Sequence, residues 1–165
     1  MARSRLRVGL DANVLIAGVR LPRWPHEAMR AALRGSFDLV LPEQIVIEAQ
    51  RHLSHPSQLA VLQAFLTGSA FEAFAMPPSD RVRQNRDLVR SEKDVPIALA
   101  LLDGGVDIFV SSDRDFTDPD ATAKRFRQCV RVMLPAVFLR DVLGWSSEAL
   151  EAIRNRTWDS MTEEE

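Results

Sequence analysis

The sequence predicts an α/β protein, a three-layer α/β/α sandwich around a mostly parallel sheet. Three observations carry that expectation. Short apolar runs alternate with segments of helical spacing. Pro and Gly residues fall at the boundaries between those segments. A length of 165 residues, 46% of them hydrophobic and 27% charged, supports one core rather than two. Residues 1–145 are expected to form the functional domain, and 146–165 to add a C-terminal helix and an acidic tail that is either part of the same domain or partly disordered.

The elements follow in order. Arg5–Leu10 reads as the first strand, ending at Asp11. Pro25 opens a helix through Arg34 that Gly35 closes, with Pro at the start and Gly past the end. Phe37–Leu41 is a short apolar strand, and Pro42 begins a helix to about Leu53. Leu59, Leu62, Phe65 and Leu66 place residues 57–67 in a helix. Phe71–Met76 reads as a strand stopped by Pro77 and Pro78, and Asp80–Arg90 as a polar helix. Val95–Leu102 is an apolar helix ended by Gly104 and Gly105. Strands at Asp107–Ser111 and Val130–Leu134 follow, then helices at Ala136–Leu143 and Ser147–Arg156.

Several classes of protein are disfavoured. The longest apolar run, Val95–Leu102, is far short of the roughly 20 residues a spanning helix needs. The arginines near the start suggest a signal peptide, but Asp11 and Asn13 interrupt the apolar stretch behind them. Cys129 is the only cysteine, which excludes an internal disulfide and makes a reducing, cytoplasmic setting the default expectation. His52 and His55 lack a third ligand at zinc spacing, and no glycine-rich phosphate loop is present. The formal charge is −2, but residues 159–165 hold four acids and no base, so the rest of the chain is slightly basic. All basic residues except Lys93 and Lys124 are arginines, which suits phosphate recognition and equally reflects codon composition.

Parallel sheets bind ligands at the carboxyl ends of their strands. Asp11 directly follows the first strand, and Asp113 follows Asp107–Ser111 after one further serine. Asp94 stands before the apolar helix, and Glu48 lies mid-helix among Ile45, Ile47 and Ala49. A carboxylate beside a buried face needs a partner, and hard cations such as Mg²⁺ or Mn²⁺ take oxygen ligands from a few carboxylates. Each residue also has a plain structural reading. Asp94 can be a helix cap, Asp113 and Asp115 turn residues, Asp11 a strand end and Glu48 a solvated helix residue. Their joint placement favours a common site.

Four segments then carry a resemblance. Val8-Gly9-Leu10-Asp11-Ala12-Asn13-Val14-Leu15-Ile16 is an apolar strand followed by an Asp-x-Asn-Val-Leu motif. Leu41-Pro42 through Glu48 to Leu53 is a helix with one Glu five residues before a Leu. Lys93-Asp94-Val95-Pro96-Ile97-Ala98-Leu99-Ala100 has an Asp opening an apolar helix, and Val110-Ser111-Ser112-Asp113-Arg114-Asp115-Phe116 closes the set. In this order they resemble the motifs of PIN-domain proteins, over residues 8–116, about two-thirds of the chain. The layout is most similar to the bacterial members described as toxin components of toxin–antitoxin systems. Ala12 stands where Thr or Ser is commoner, Ser111 replaces Thr, and nothing beyond Leu134 matches a motif.

The resemblance implies a metal-dependent endoribonuclease acting on single-stranded RNA, with Mg²⁺ or Mn²⁺ held by Asp11, Glu48, Asp94 and Asp113. Asp11 and Asp113 would be the most direct ligands. Glu48 and Asp94 would act directly or through water, with a general base among them, while Asn13, Ser111 and Asp115 orient the carboxylates. It also implies an antitoxin partner and a homodimer. The apolar residues Leu59, Leu62, Phe65 and Phe71, numerous for a small core, fit a second copy. Arg83, Arg86 and Arg90, at i, i+3 and i+7 of one helix face, are candidate RNA contacts together with Lys124, Arg125 and Arg127; the plain reading is a solvated charged face. A phosphatase of the haloacid-dehalogenase type would want an acid where Asn13 stands. The remaining alternative is a PIN-like module that binds RNA or protein without cutting.

Overall fold

A computed structural model describes residues 5–161. Five strands, β1 (Arg7–Leu10), β2 (Asp38–Pro42), β3 (Glu72–Phe74), β4 (Ile108–Val110) and β5 (Arg131–Met133), form one all-parallel sheet in the order β3-β2-β1-β4-β5. The central strand β1 is buried over its last three residues, and Val8 lies opposite both Leu39 and Ile108. The strands are near-continuous apolar runs because both sheet faces are covered.

Between β1 and β2 lie α1 (Ala12–Arg20) and α2 (Trp24–Leu33); between β2 and β3 lie α3 (Glu43–His52) and α4 (Pro56–Gly68). These connections step one way across the sheet. The next, through α5 (Ser79–Gln84), a 3₁₀ turn at Glu92–Asp94 and α6 (Val95–Asp103), steps back past β1 to β4. Right-handed crossovers in opposite directions put their helices on opposite faces, giving the three layers the sequence predicts. Two short helices, α7 (Arg114–Thr117) and α8 (Lys124–Arg127), precede β5, and α9 (Pro135–Asp141) returns to pack on α2. The chain continues through α10 (Ser147–Ala152) and a 3₁₀ turn at Trp158–Ser160.

Most elements lie where the sequence places them, trimmed by a residue or two. Gly35 and Gly105 adopt the left-handed conformation just past α2 and α6, the backbone state in which glycine ends a helix. Three expectations fail. The apolar stretch after Asp11 is helix α1, for which the sequence reading has no element. The polar helix expected over Asp80–Arg90 stops at Gln84; the chain turns at Asn85, and Val89 pairs with Thr122 in an isolated bridge. The last helix ends at Ala152 rather than Arg156.

Leu62 and Phe65 are buried in the core of the single chain, and Leu59 and Phe71 pack against it. Those four side chains are therefore satisfied within one molecule and give no argument for a second copy. The expected acidic tail reaches residues 162–165, which lie outside the described residues.

The segment after α10 is tied back to the first two helices. Trp24 Nε1 donates to the Leu150 carbonyl, and Arg23 Nε to that of Arg156. The Arg156 guanidinium donates to the Pro22 carbonyl and to Glu27 at 2.7 Å, with both side chains buried. Trp158 Nε1 donates to the Arg20 carbonyl at the end of α1, and the Trp158 ring meets His26 edge-on at 5.1 Å.

Candidate metal centre

The strand order reverses between β1 and β4, and in parallel α/β sheets the crevice outside that switch point gathers ligands. Asp11 lies at the end of β1 and Ser111 at the end of β4. The Ser111 N–H donates to the Met133 carbonyl, which extends the sheet pairing, while its hydroxyl turns to Asp11.

Asp11 is 5% exposed and serves as the N-cap of α1, accepting from the Ala12 N–H at 2.8 Å. Its other oxygen accepts from Ser111 Oγ at 2.7 Å and from Asn13 Nδ2 at 3.2 Å. Asn13 Oδ1 in turn accepts from the Ser112 N–H, and Ser111 Oγ from the Asp113 N–H. This lattice locks the two strand ends together. Burial pushes the Asp11 carboxyl up to about 6; the bonds from Ser111 and Ala12 oppose that, and the charges of Asp94 and Asp113 add to it.

Asp113 caps α7, with Oδ1 accepting from the Asp115 N–H at 2.9 Å. Asp94 closes the 3₁₀ turn ahead of α6 and is 8% exposed. It stands at the N-cap position of α6, but its side chain makes no capping bond. Its Oδ2 is buried with no hydrogen-bond partner among the described residues. Burial first, and then the Asp113 charge, raise the Asp94 carboxyl to about 6, while Ser91 and Lys93 pull the other way. A carboxylate oxygen left in that condition is costly unless a cation completes it.

Carboxylate oxygens of Asp94, Asp113 and Asp115 all lie within 4.8 Å of one another, a spacing one divalent ion can bridge. Asp11, Glu48, Asp94 and Asp113 all line one cleft of about 560 Å³. Glu48 is half-buried on its wall rather than packed in the core. The four acids singled out by sequence thus share a cleft, as do Asn13 and, through hydrogen bonds, Ser111.

One expectation at the site needs correction, the arginine face, and the contacts of Asp115 lead to it. Asp115 bonds to Asp113 through its backbone N–H, whereas its side chain is held by Arg90 Nε and Nη2 at 3.2 and 3.0 Å. Arg90 also binds Asp118, so its charge is compensated by acids, and with the helix ended at Gln84 the expected face of Arg83, Arg86 and Arg90 does not form. Arg125 pairs with Asp87, and Arg127 donates to the Pro119 and Thr122 carbonyls. None of these basic residues lines the cleft. The cleft's cations are Arg20 and Lys93, which sequence reasoning missed. The signal was present: on α1, Asn13, Ile16, Ala17 and Arg20 stand at i, i+3, i+4 and i+7, one helix face.

No family model matches the chain, and neither does any curated protein. Among solved structures, the chain is similar to one titled "Crystal Structure of PAE2754 from Pyrobaculum aerophilum". The TM-score is 0.52 and the identity 16%, over 87% of this chain and 100% of that one. At that identity the likeness concerns the fold. Among the described residues no helix is long and apolar enough to cross a membrane.

Proposed function

We propose that the protein is a divalent-cation-dependent endoribonuclease that cuts single-stranded RNA. The observation that carries the reading is the cleft at the switch point, lined by four carboxylates, where Asp94 Oδ2 is buried without a hydrogen-bond partner among the described residues. The donors are all carboxylate oxygens, the set that suits Mg²⁺ or Mn²⁺. Asp94 and Asp113 would hold the ion, with Asp11, Glu48 and Asp115 within its surroundings. The chemistry such an ion supplies is Lewis acidity, which acidifies water and offsets charge on a phosphodiester.

The chain's own residues supply the rest. Ser111 and Asn13 fix the Asp11 carboxylate by hydrogen bonds, so it need not reorganise when a ligand arrives. The Glu48 carboxylate makes no hydrogen bond or ion pair among the described residues and is free to accept a proton from water. The acids that line the cleft are those that resemble the PIN-domain motifs, which joins the two lines of support. The same resemblance extends the proposal to the toxin of a toxin–antitoxin pair, acting in the cytoplasm as a homodimer.

The test is cleavage of a labelled single-stranded RNA by the full chain with Mn²⁺, with Mn²⁺ plus EDTA, and by Asp113→Asn. Cleavage only in the first reaction is expected. RNA bound but left intact by the wild-type protein in Mn²⁺ would assign a non-catalytic binding module instead. Cleavage that survives EDTA would overturn the metal-dependent reading.

A further inference from the structure

We propose that Arg20 and Lys93 are the residues that grip the substrate's phosphate backbone, in place of the arginines that regular spacing along the sequence suggests. The inference rests on the ribonuclease reading and names how that site holds its strand.

Asp11, Asp94 and Asp113 line the cleft together, and an anionic strand meets repulsion beside them until a cation is bound. Arg20 sits seven residues along α1 from Asn13, about 10 Å away along the axis at the rise of an α-helix. Its guanidinium donates once, to the His52 carbonyl at the end of α3, which leaves most of its five N–H groups unused. Lys93 flanks Asp94 in the same cleft. No carboxylate of the described residues lies within ion-pair distance of either Arg20 or Lys93.

That freedom separates them from the other candidates. Arg81, Arg90 and Arg125 are each matched to acids on the surface. A guanidinium that must leave a carboxylate to take a phosphate gains little by the exchange, whereas Arg20 has no such partner to leave; Lys93 feels the Asp94 charge but makes no direct ion pair with it. Arg83 and Arg86 have no acid partner among the described residues either, but they do not line the cleft. Arg20 is also held in place from behind, because Trp158 Nε1 binds its carbonyl. A cation at the end of a braced helix is positioned before the strand arrives.

The experiment reads the salt dependence of binding. A fluorescein-labelled single-stranded RNA is titrated by anisotropy, with Mn²⁺, against full-length protein carrying Asp113→Asn so that the strand stays intact. Withdrawing one cation from the phosphates should reduce the slope of log K against log salt by about 0.7. Arg20→Gln and Lys93→Gln are each expected to do so, Arg20→Lys to restore the parent slope, and Arg83→Gln and Arg86→Gln to leave it unchanged. If the parent binds RNA and the slope is unmoved by Arg20→Gln and Lys93→Gln, the proposal is overturned while the ribonuclease reading stands. If the wild-type protein neither binds nor cuts RNA, both fall together.

Discussion

The most exposed consequence at the residue scale belongs to Asp94, whose buried Oδ2 lacks a partner among the described residues. Its carboxyl titrates at about 6 in the folded chain, above the ordinary 3.8. Between those values the native state binds more proton than the unfolded state, so the group lowers stability as pH rises from about 4 to 6 and holds it down above that. Asp94→Asn removes the penalty. Metal-free protein carrying it should be more stable than wild type at pH 7.5, by a margin of order 2 kcal/mol, and nearly equal to it at pH 4. Urea denaturation in EDTA at the two pH values measures this, and a variant less stable at both would show that Asp94 bonds the fold together. Added Mn²⁺ should stabilise the wild type, since binding to the native state alone shifts unfolding by mass action, and do less for the variant. Asp113→Asn differs, because Asn caps a helix as well as Asp does. Its melting temperature should match that of the wild type while Mn²⁺-dependent cleavage is lost, a pairing that a calorimeter and an RNase assay on one preparation can check.

Among the elements, α1 decides the shape of the cleft, and its docking on α2 depends on Gly18. A Cβ there would strike the Met29 sulphur and come within 3.2 Å of the His26 nitrogen and the Pro25 carbonyl carbon. Two of those atoms are backbone and cannot step aside. Gly18→Ala should therefore cost about 1–3 kcal/mol, despite the better helix propensity of alanine; a rise in the urea midpoint would show that the helices separate more easily than their close approach suggests. The same helix marks the limit of what the sequence reveals. Residues 12–20 bury Ala12, Val14, Leu15, Gly18 and Val19 at helical spacing, but the segment is short and starts directly at the strand end, so the sequence reading stops the first strand at Asp11 and assigns no element here. Without that helix, Arg20 has no face to share with Asn13 and is passed over. The opposite error arises at Arg90, where regular spacing of arginines suggests a helix. The partners that fix Arg90, Asp115 and Asp118, lie 25 and 28 residues away. Local pattern reports periodicity, not pairing at such separations. Asp11, Glu48, Asp94 and Asp113 were legible because each sits beside an element boundary or on an apolar helix whose existence the sequence states plainly.

For the whole molecule, the segment after α10 acts as a brace across α1 and α2, anchored by the buried pair of Arg156 and Glu27. Removing one partner of such a pair strands the other charge away from water. Arg156→Ala should cost about 3–5 kcal/mol in chemical denaturation, and Glu27→Gln combined with it should recover part of the loss. A loss below about 1 kcal/mol would mean that water reaches Glu27 once the arginine is gone. The centre of the sheet makes a different demand. The hydrogen bond from Ser111 to Asp11 joins residues 100 positions apart, and β1 cannot complete its pairing until β4 exists. A chain emerging from the ribosome at about 5–20 residues per second carries Asp11 for roughly 5–20 s before Ser111 and Asp113 follow it. During that interval the acids of the N-terminal half have no partners across the switch point. Under the proposed function, a product that ends before Ser111 and Asp113 lacks half of the site's switch point and should be inert, so cleavage of the chain's own message would wait until about two-thirds of it has been read.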